Sequence, residues 1–447
     1  MTVKRFSVLP ITDHLDNWRM FAEAPNGNHG LAQGIRKGVL DLGLTTYEPA
    51  AEVVSYEERT KQEEAGKERR EPVIEGDPSI LRAYLQDAVR DANEEKPIVL
   101  FVHGFQFDPR AYRGQVPGNS VNPHLQLYRF TELDPPDGES REDHEHLTHA
   151  TPWLKRAGRE DEFPGLAVCF GYESWGDEYD VSQQQQKLAS RRAFMSFELS
   201  KGVARNVYAQ AYFNSKLSAL FLAEIIAALG TVMEEEQVNA PIHLFAHSLG
   251  TRVALSALEV LAKDPDRREH FTHVDRVLLL AGAALQLEAT ATKEAIIASG
   301  VKRPEFVNVF SPTDKIVRVL GARAAGKTAS RDRGMKLPWW KRYARFVQGW
   351  KTIGIEGSDR DLRSRYENWV DIDLTSDKTQ AWGAARDMDL KGTLRESSVF
   401  IYELLRSKFK KAEIWDHWVH YTHEGNWKLY RALLEPGELA LSDLPQA

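Results

Sequence analysis

Only one cysteine, Cys169, occurs in 447 residues, so no intramolecular disulfide can form and nothing in cysteine usage calls for an oxidising compartment. Positive charge is in the minority: 58 Lys and Arg against 65 Asp and Glu give a net charge of −7, which argues against nucleic acid as the main partner. Long apolar runs are also missing. No stretch approaches the roughly 18 continuous apolar residues of a membrane-spanning helix. The opening Met1-Thr2-Val3-Lys4-Arg5 lacks the apolar run of a signal peptide, so a cytoplasmic protein is expected. No internal repeat stands out.

What is present is globular in character, with 42% hydrophobic and 28% charged residues, far from the disordered range. The length suits two or three average domains, or one large α/β domain carrying insertions. Continuous apolar runs at Ile98-Val99-Leu100-Phe101-Val102, Gly165 to Phe170, Ile242 to Ala246, Val277 to Leu280 and Phe306 to Phe310 predict strands buried on both faces. Trp369 to Leu374 predicts another, and Gly43 to Tyr47 a strand nearer the N-terminus. Helical spacing marks Ser79 to Ala92, and 211–230 reads as an amphipathic helix stopping at Gly230. A solvated helix or loop is expected over 57–72. Strands alternating with helices predict a mostly parallel sheet covered on both faces.

This reading divides the chain into N-terminal strands and a helix (1–95), a core (96–317) with an insertion at 106–164, a basic-aromatic insertion at 318–368, and a C-terminal part of the core (369–447). Both insertions are expected on the rim of the sheet, forming a cap where ligands bind in open α/β folds.

Ala246-His247-Ser248-Leu249-Gly250 lies between a predicted strand and a predicted helix, Arg252 to Ala262. A nucleophilic serine at so tight a corner needs small residues two positions to either side, and the helix N-terminus beneath it favours developing negative charge. A serine hydroxyl also needs a base, an acid to orient that base, and donors for the oxyanion. His103-Gly104-Phe105 directly follows the strand 98–102, so the Phe105 and Leu249 amides are the expected donors, with His103 bracing the loop. Asp314, in a Pro-containing turn just past the strand 306–310, is the expected acid; the alternative reading is ordinary turn chemistry. The post-strand turn 281–284 offers no carboxylate before Glu288. After Asp314 the only histidines are His417, His420 and His423. His417 is the first choice of base because it precedes the aromatic stretch leading into a terminal helix near Glu424 to Leu434. His420 and His423 remain alternatives. Their spacing also raises a metal site, disfavoured because no carboxylate-rich ligand set accompanies it.

These elements in this chain order resemble the α/β-hydrolase superfamily, in particular bacterial esterase/lipase-like branches whose elbow begins with alanine. The resemblance spans roughly 96–317 and 369–435. It implies an α/β-hydrolase fold and a serine hydrolase cleaving a carboxylic ester, with Ser248 as nucleophile, Asp314 as acid, His417 as base and Phe105 and Leu249 as oxyanion amides. No metal or organic cofactor is implied. The implied partner is a small-molecule or lipid ester. Trp175, after the strand ending near 170, and His247 are assigned to the substrate pocket, with core packing the alternative for Trp175.

Two other readings compete. Gly321-Ala322-Arg323-Ala324-Ala325-Gly326-Lys327-Thr328 matches the P-loop pattern, which would make the protein a nucleotide-binding ATPase or GTPase. Arg318 interrupts the preceding strand, however, and Gly334 and Pro338 interrupt the following helix, so a flexible loop is the better expectation. The other is a binding module with an inactive site. The stretch 336–351, with Trp339, Tyr343, Phe346 and Trp350, is expected as an amphipathic helix packed inward, with weak membrane-surface contact as the alternative.

Overall fold

A computed structural model of the chain describes residues 3–10, 18–23, 39–47, 73–90, 92, 96–105, 107–109, 122–130, 152–158, 165–174, 200–314, 316–317, 351–358, 366–392, 417 and 419–446. Among these residues the strands are β1 (Val3–Pro10), β2 (Trp18–Glu23), β3 (Val39–Tyr47), β4 (Val73–Glu75), β5 (Ile98–Val102), β6 (Leu166–Tyr172), β7 (Ile242–His247), β8 (Val274–Leu280), β9 (Glu305–Phe310) and β10 (Trp369–Asp373). They form one sheet in the order β10-β9-β8-β7-β5-β6-β1-β2-β3-β4. From β10 across to β1 every neighbouring pair is parallel, and β2, β3 and β4 extend the sheet antiparallel. The main helices are α1 (Ser79–Val89), α2 (Ser200–Glu235), α3 (Gly250–Lys263), α4 (Gln286–Ser299), α5 (Asp377–Ala384) and α6 (Glu424–Leu434). The fold is thus α/β, a mostly parallel sheet flanked by helices.

The apolar runs become central strands because side chains alternate across the sheet and both faces are covered. Ile98, Leu100 and Val102 join the core under α1 to α4, whereas Val99 and Phe101 join a second core beneath α6. Trp153 anchors that second layer, fully buried among Phe101, Tyr128, Phe245, Tyr421 and Trp427. A buried side chain of this size contributes about 3 kcal/mol. The described parts of 106–164 therefore differ from the rim position expected of that stretch: Leu127, Tyr128, Trp153 and Leu154 cover a face of the sheet. The Tyr128 hydroxyl lies 3.1 Å from the Phe101 carbonyl and 2.9 Å from that of Phe170, placing it across β5 and β6.

Lys4, Arg5 and Ser7 interrupt the apolar residues of β1, and each finds a partner. Lys4 donates to the Tyr84 carbonyl at 2.6 Å, Arg5 to the Tyr128 carbonyl at 3.0 Å, and the Ser7 hydroxyl meets His124 Nε2 at 3.0 Å. Helix α2 runs straight through Gly230 to Glu235. Gly230 sits mid-helix because a Cβ there would meet the His270 Cβ at 2.5 Å, so it permits close packing where a helix stop was expected. The Asn214–Glu235 part of α2 has a mean hydropathy of 1.7, long and apolar enough to cross a membrane, but 83% of that window is buried inside the fold. The predicted features at 57–72, 321–328 and 336–350 lie outside the described residues.

Candidate active site

Strands β5, β7 and β9 point their C-terminal ends to the same edge of the sheet, and each is followed by a residue of interest. Ser248 leaves β7 with φ +53°, in the left-handed region that side chains rarely adopt, and α3 begins two residues later at Gly250. The strained corner is held from several sides. The Ser248 N–H donates to the Leu280 carbonyl at 2.8 Å. The Ser248 carbonyl accepts from the Ala283 N–H at 3.0 Å and from the Thr251 hydroxyl at 2.7 Å. Gly250 is required here: a Cβ would stand 2.5 Å from the Val102 carbonyl oxygen, and at Gly104 it would stand 2.8 Å from the Ser248 Cβ. The corner and the turn after β5 interlock only because both positions lack side chains.

The hydroxyl meets a chain of two further groups. His417 Nε2 lies 3.0 Å from Ser248 Oγ, and His417 Nδ1 lies 2.6 Å from Asp314 Oδ2. Asp314 is fully buried, and its Oδ1 accepts the Val317 N–H at 3.0 Å, so both oxygens are engaged. With the Nδ1 proton facing the carboxylate, Nε2 is free to accept from the serine. His417 arrives from the far end of the chain, where residues 419–422 form a helical turn ahead of α6.

The other two late histidines are placed elsewhere. His420 is fully buried, neither ring nitrogen has a partner among the described residues, and burial holds it neutral with its pKa at about 4 despite the nearby Asp314. His423 is the cap residue of α6, with Nε2 3.6 Å from Asp389. Of the three, His417 alone stands within hydrogen-bonding distance of Ser248.

His103 donates from Nδ1 to the Gly104 carbonyl at 2.9 Å and accepts the Tyr172 N–H on Nε2 at 3.1 Å. Both nitrogens are spent, the ring stacks on Tyr172 at 4.5 Å, and burial holds its pKa down at about 3. It is a neutral brace between the ends of β5 and β6. The sequence reading missed Tyr172; the parallel pairing of β6 beside β5 is the signal that would place it next to His103.

His247, expected in the substrate pocket, is buried, with its ring 4.9 Å from that of His417 and edge-on to Tyr421 at 4.6 Å. Burial, then the neighbouring His417 and His420, hold it well below the ordinary imidazole range. As the last residue of β7 it packs behind the candidate base. Trp175 lies outside the described residues.

Phe105 and Leu249, the expected oxyanion positions, meet in one apolar cluster with Ala211, Tyr212, Leu285 and Leu287. Among the described residues the Leu249 amide makes no hydrogen bond, and it belongs to the residue capping α3. Beneath this cluster Arg252 donates to Glu288 at 2.9 Å, to the Ser215 hydroxyl at 2.9 Å and to the Tyr212 carbonyl, and lies 3.6 Å from the Tyr212 ring. Burial raises the Glu288 pKa, but Arg252, the Leu285 N–H and the Tyr212 hydroxyl outweigh it and hold the carboxyl below its usual range. Glu288 is thus engaged with Arg252 under α3. Among the described residues no group of three or more His, Cys, Asp or Glu side chains is arranged to hold a metal ion.

Residues 180–331 match a protein family described as "Alpha/beta hydrolase of unknown function (DUF900)". The match covers about a third of the chain, takes in Ser248 and Asp314, and stops short of His417. No curated protein and no solved structure matches the chain. The mostly parallel sheet, with helices on both faces, agrees with that match, and the fold is that of an α/β hydrolase.

Proposed function

We propose that the protein is a serine hydrolase that cleaves a carboxylic ester through an acyl-enzyme intermediate. The observation that carries this reading is the continuous chain from Ser248 Oγ to His417 Nε2 at 3.0 Å and from His417 Nδ1 to Asp314 at 2.6 Å. Fold alone would not support it, since one fold hosts many functions.

In this mechanism His417 Nε2 takes the Ser248 proton as the oxygen attacks the acyl carbonyl carbon. Asp314 keeps the imidazole in the productive tautomer and stabilises the imidazolium that forms. The Leu249 and Phe105 amides, with the N-terminal end of the 14-residue α3 behind them, receive the oxyanion. His417 then returns the proton to the leaving alkoxide. Water attacks the acyl-enzyme by the same route and frees the acid. An ester is favoured over an amide because an alkoxide needs less help to leave than an amide nitrogen. The partly buried Phe105 and Leu287, packed against the cluster that holds Leu249, support an apolar acyl group.

The P-loop reading has less support. Strand β9 ends at Phe310, and Ile316 and Val317 are helical, so among the described residues no strand continues from β9 toward the 321–328 motif. The test is covalent labelling with a fluorophosphonate probe. Wild-type protein is expected to label stoichiometrically and to hydrolyse short p-nitrophenyl esters. Ser248→Ala should abolish both while Lys327→Ala retains them. Undiminished labelling of Ser248→Ala, or none of the folded wild type, would overturn the proposal.

A further inference from the structure

The turn that holds Asp314 and the turn that holds His417 come from distant parts of the chain, yet both are tied to one short piece of backbone, residues 389–392. Asn426, on α6 and fully buried, makes three hydrogen bonds with its side chain. Its Oδ1 accepts the Lys391 N–H at 2.9 Å, and its Nδ2 donates to the Lys391 carbonyl and to the Val419 carbonyl, each at 2.9 Å. Val419 is two residues past His417. One residue on, the Gly392 carbonyl accepts the Ser311 hydroxyl at 2.8 Å and faces the Thr313 hydroxyl at 3.4 Å. The Ser311 carbonyl in turn accepts the Asp314 N–H at 3.1 Å. The strap has little room to shift. Leu390 is buried in the core beneath α6, and a Cβ at Gly392 would stand 2.7 Å from Thr375 Cγ2. A Cβ on Gly425 would overlap the Asp389 carbonyl.

We infer that Asn426 is a positioning residue of the proposed triad, setting the Asp314–His417 spacing through the strap 389–392. This rests on the hydrolase reading. Asparagine suits the task chemically: one acceptor faces an N–H while two donors face two carbonyls, and a carboxylate there would oppose both carbonyl oxygens. Loosening either tie lets the acid and the base drift relative to each other, which costs turnover and leaves substrate contacts alone.

The test measures fluorophosphonate labelling of the full chain, in which the Ser248 oxygen bonds phosphorus, fluoride leaves and His417 takes the hydroxyl proton. Maximal rate and half-saturating probe concentration are determined separately for wild type, Asn426→Ala, Ser311→Ala and the double variant. Asn426→Ala should lose on the order of 10- to 100-fold in maximal rate, and Ser311→Ala less, with half-saturation unchanged within about twofold. Because both act through one strap, the double variant should fall no lower than Asn426→Ala. Wild-type rates in both single variants, losses confined to half-saturation, or losses that multiply would each overturn the inference. If Asn426→Ala does not fold, Ser311→Ala decides by the same rate criterion. A wild type that never labels sinks the hydrolase reading and this inference with it; a wild type that labels alongside unaffected variants sinks the inference alone.

Discussion

Two non-glycine residues with positive φ stand side by side at the edge of the sheet, Ser248 at +53° and Ala281 at +46°. Each costs on the order of 1 kcal/mol, and each is held by the next strand, Ser248 by the Leu280 carbonyl and Ala281 by that of Val309. Glycines around them relieve crowding by leaving Cβ positions vacant. Gly104→Ala is accordingly expected to push the Ser248 Cβ aside and reduce labelling at least 100-fold, with a much smaller loss of thermal stability. Labelling rates and melting curves measured on the same sample check this; an alanine variant with wild-type labelling would show that the two turns do not interlock. The strained corner at Ser248 was legible in the sequence because its small residues have a steric cause that survives without coordinates. The choice among His417, His420 and His423 was only partly legible. Spacing alone does not say which ring faces the serine, and that is settled by the helical turn that sends His420 inward. Asn426 was not legible at all, since an asparagine on an amphipathic helix looks like any other polar residue until its three partners are seen.

Helices α2, α3 and α4 are joined beneath the Ser248 corner by the buried pair Arg252 and Glu288. Removing one partner leaves an unpaired buried charge, and Arg252→Met is expected to cost about 3–5 kcal/mol of stability. Adding Glu288→Gln should restore part of that loss, since the stranded carboxylate goes with it. Urea unfolding of both single variants and the double measures the coupling; equal and additive losses would refute it. Central strands such as β5 and β7 were readable as elements because burial on both faces leaves an unbroken apolar run. The edges of the reading failed where glycine serves packing inside a helix, as at Gly230.

Across the whole molecule, several buried histidines are kept neutral by desolvation: His103 at about 3, His243 and His420 at about 4, and His247 also well below the ordinary range. The unfolded chain protonates these groups near their usual pKa of about 6.5, whereas the folded chain resists until the depressed values are reached. Stability is therefore fully present above about pH 6.5 and is lost as pH falls toward 4, on the order of 1 kcal/mol per group per pH unit. Urea midpoints at pH 7.5, 6 and 5 should fall in that order; a midpoint flat across this window would contradict the burial of neutral imidazoles. The layered architecture was legible in the alternation of strands and helices, but the second core was not, because Trp153 and the terminal residues that meet it are separated by more than 250 positions.

His417 follows Asp314 by 103 positions and Ser248 by 169. A ribosome adding about 5–20 residues per second reaches the imidazole roughly 5–20 s after the carboxylate. Throughout that interval the growing polypeptide carries the hydroxyl without its proposed base, so under the proposed mechanism premature acylation of an unfinished molecule is disfavoured by the order of translation itself.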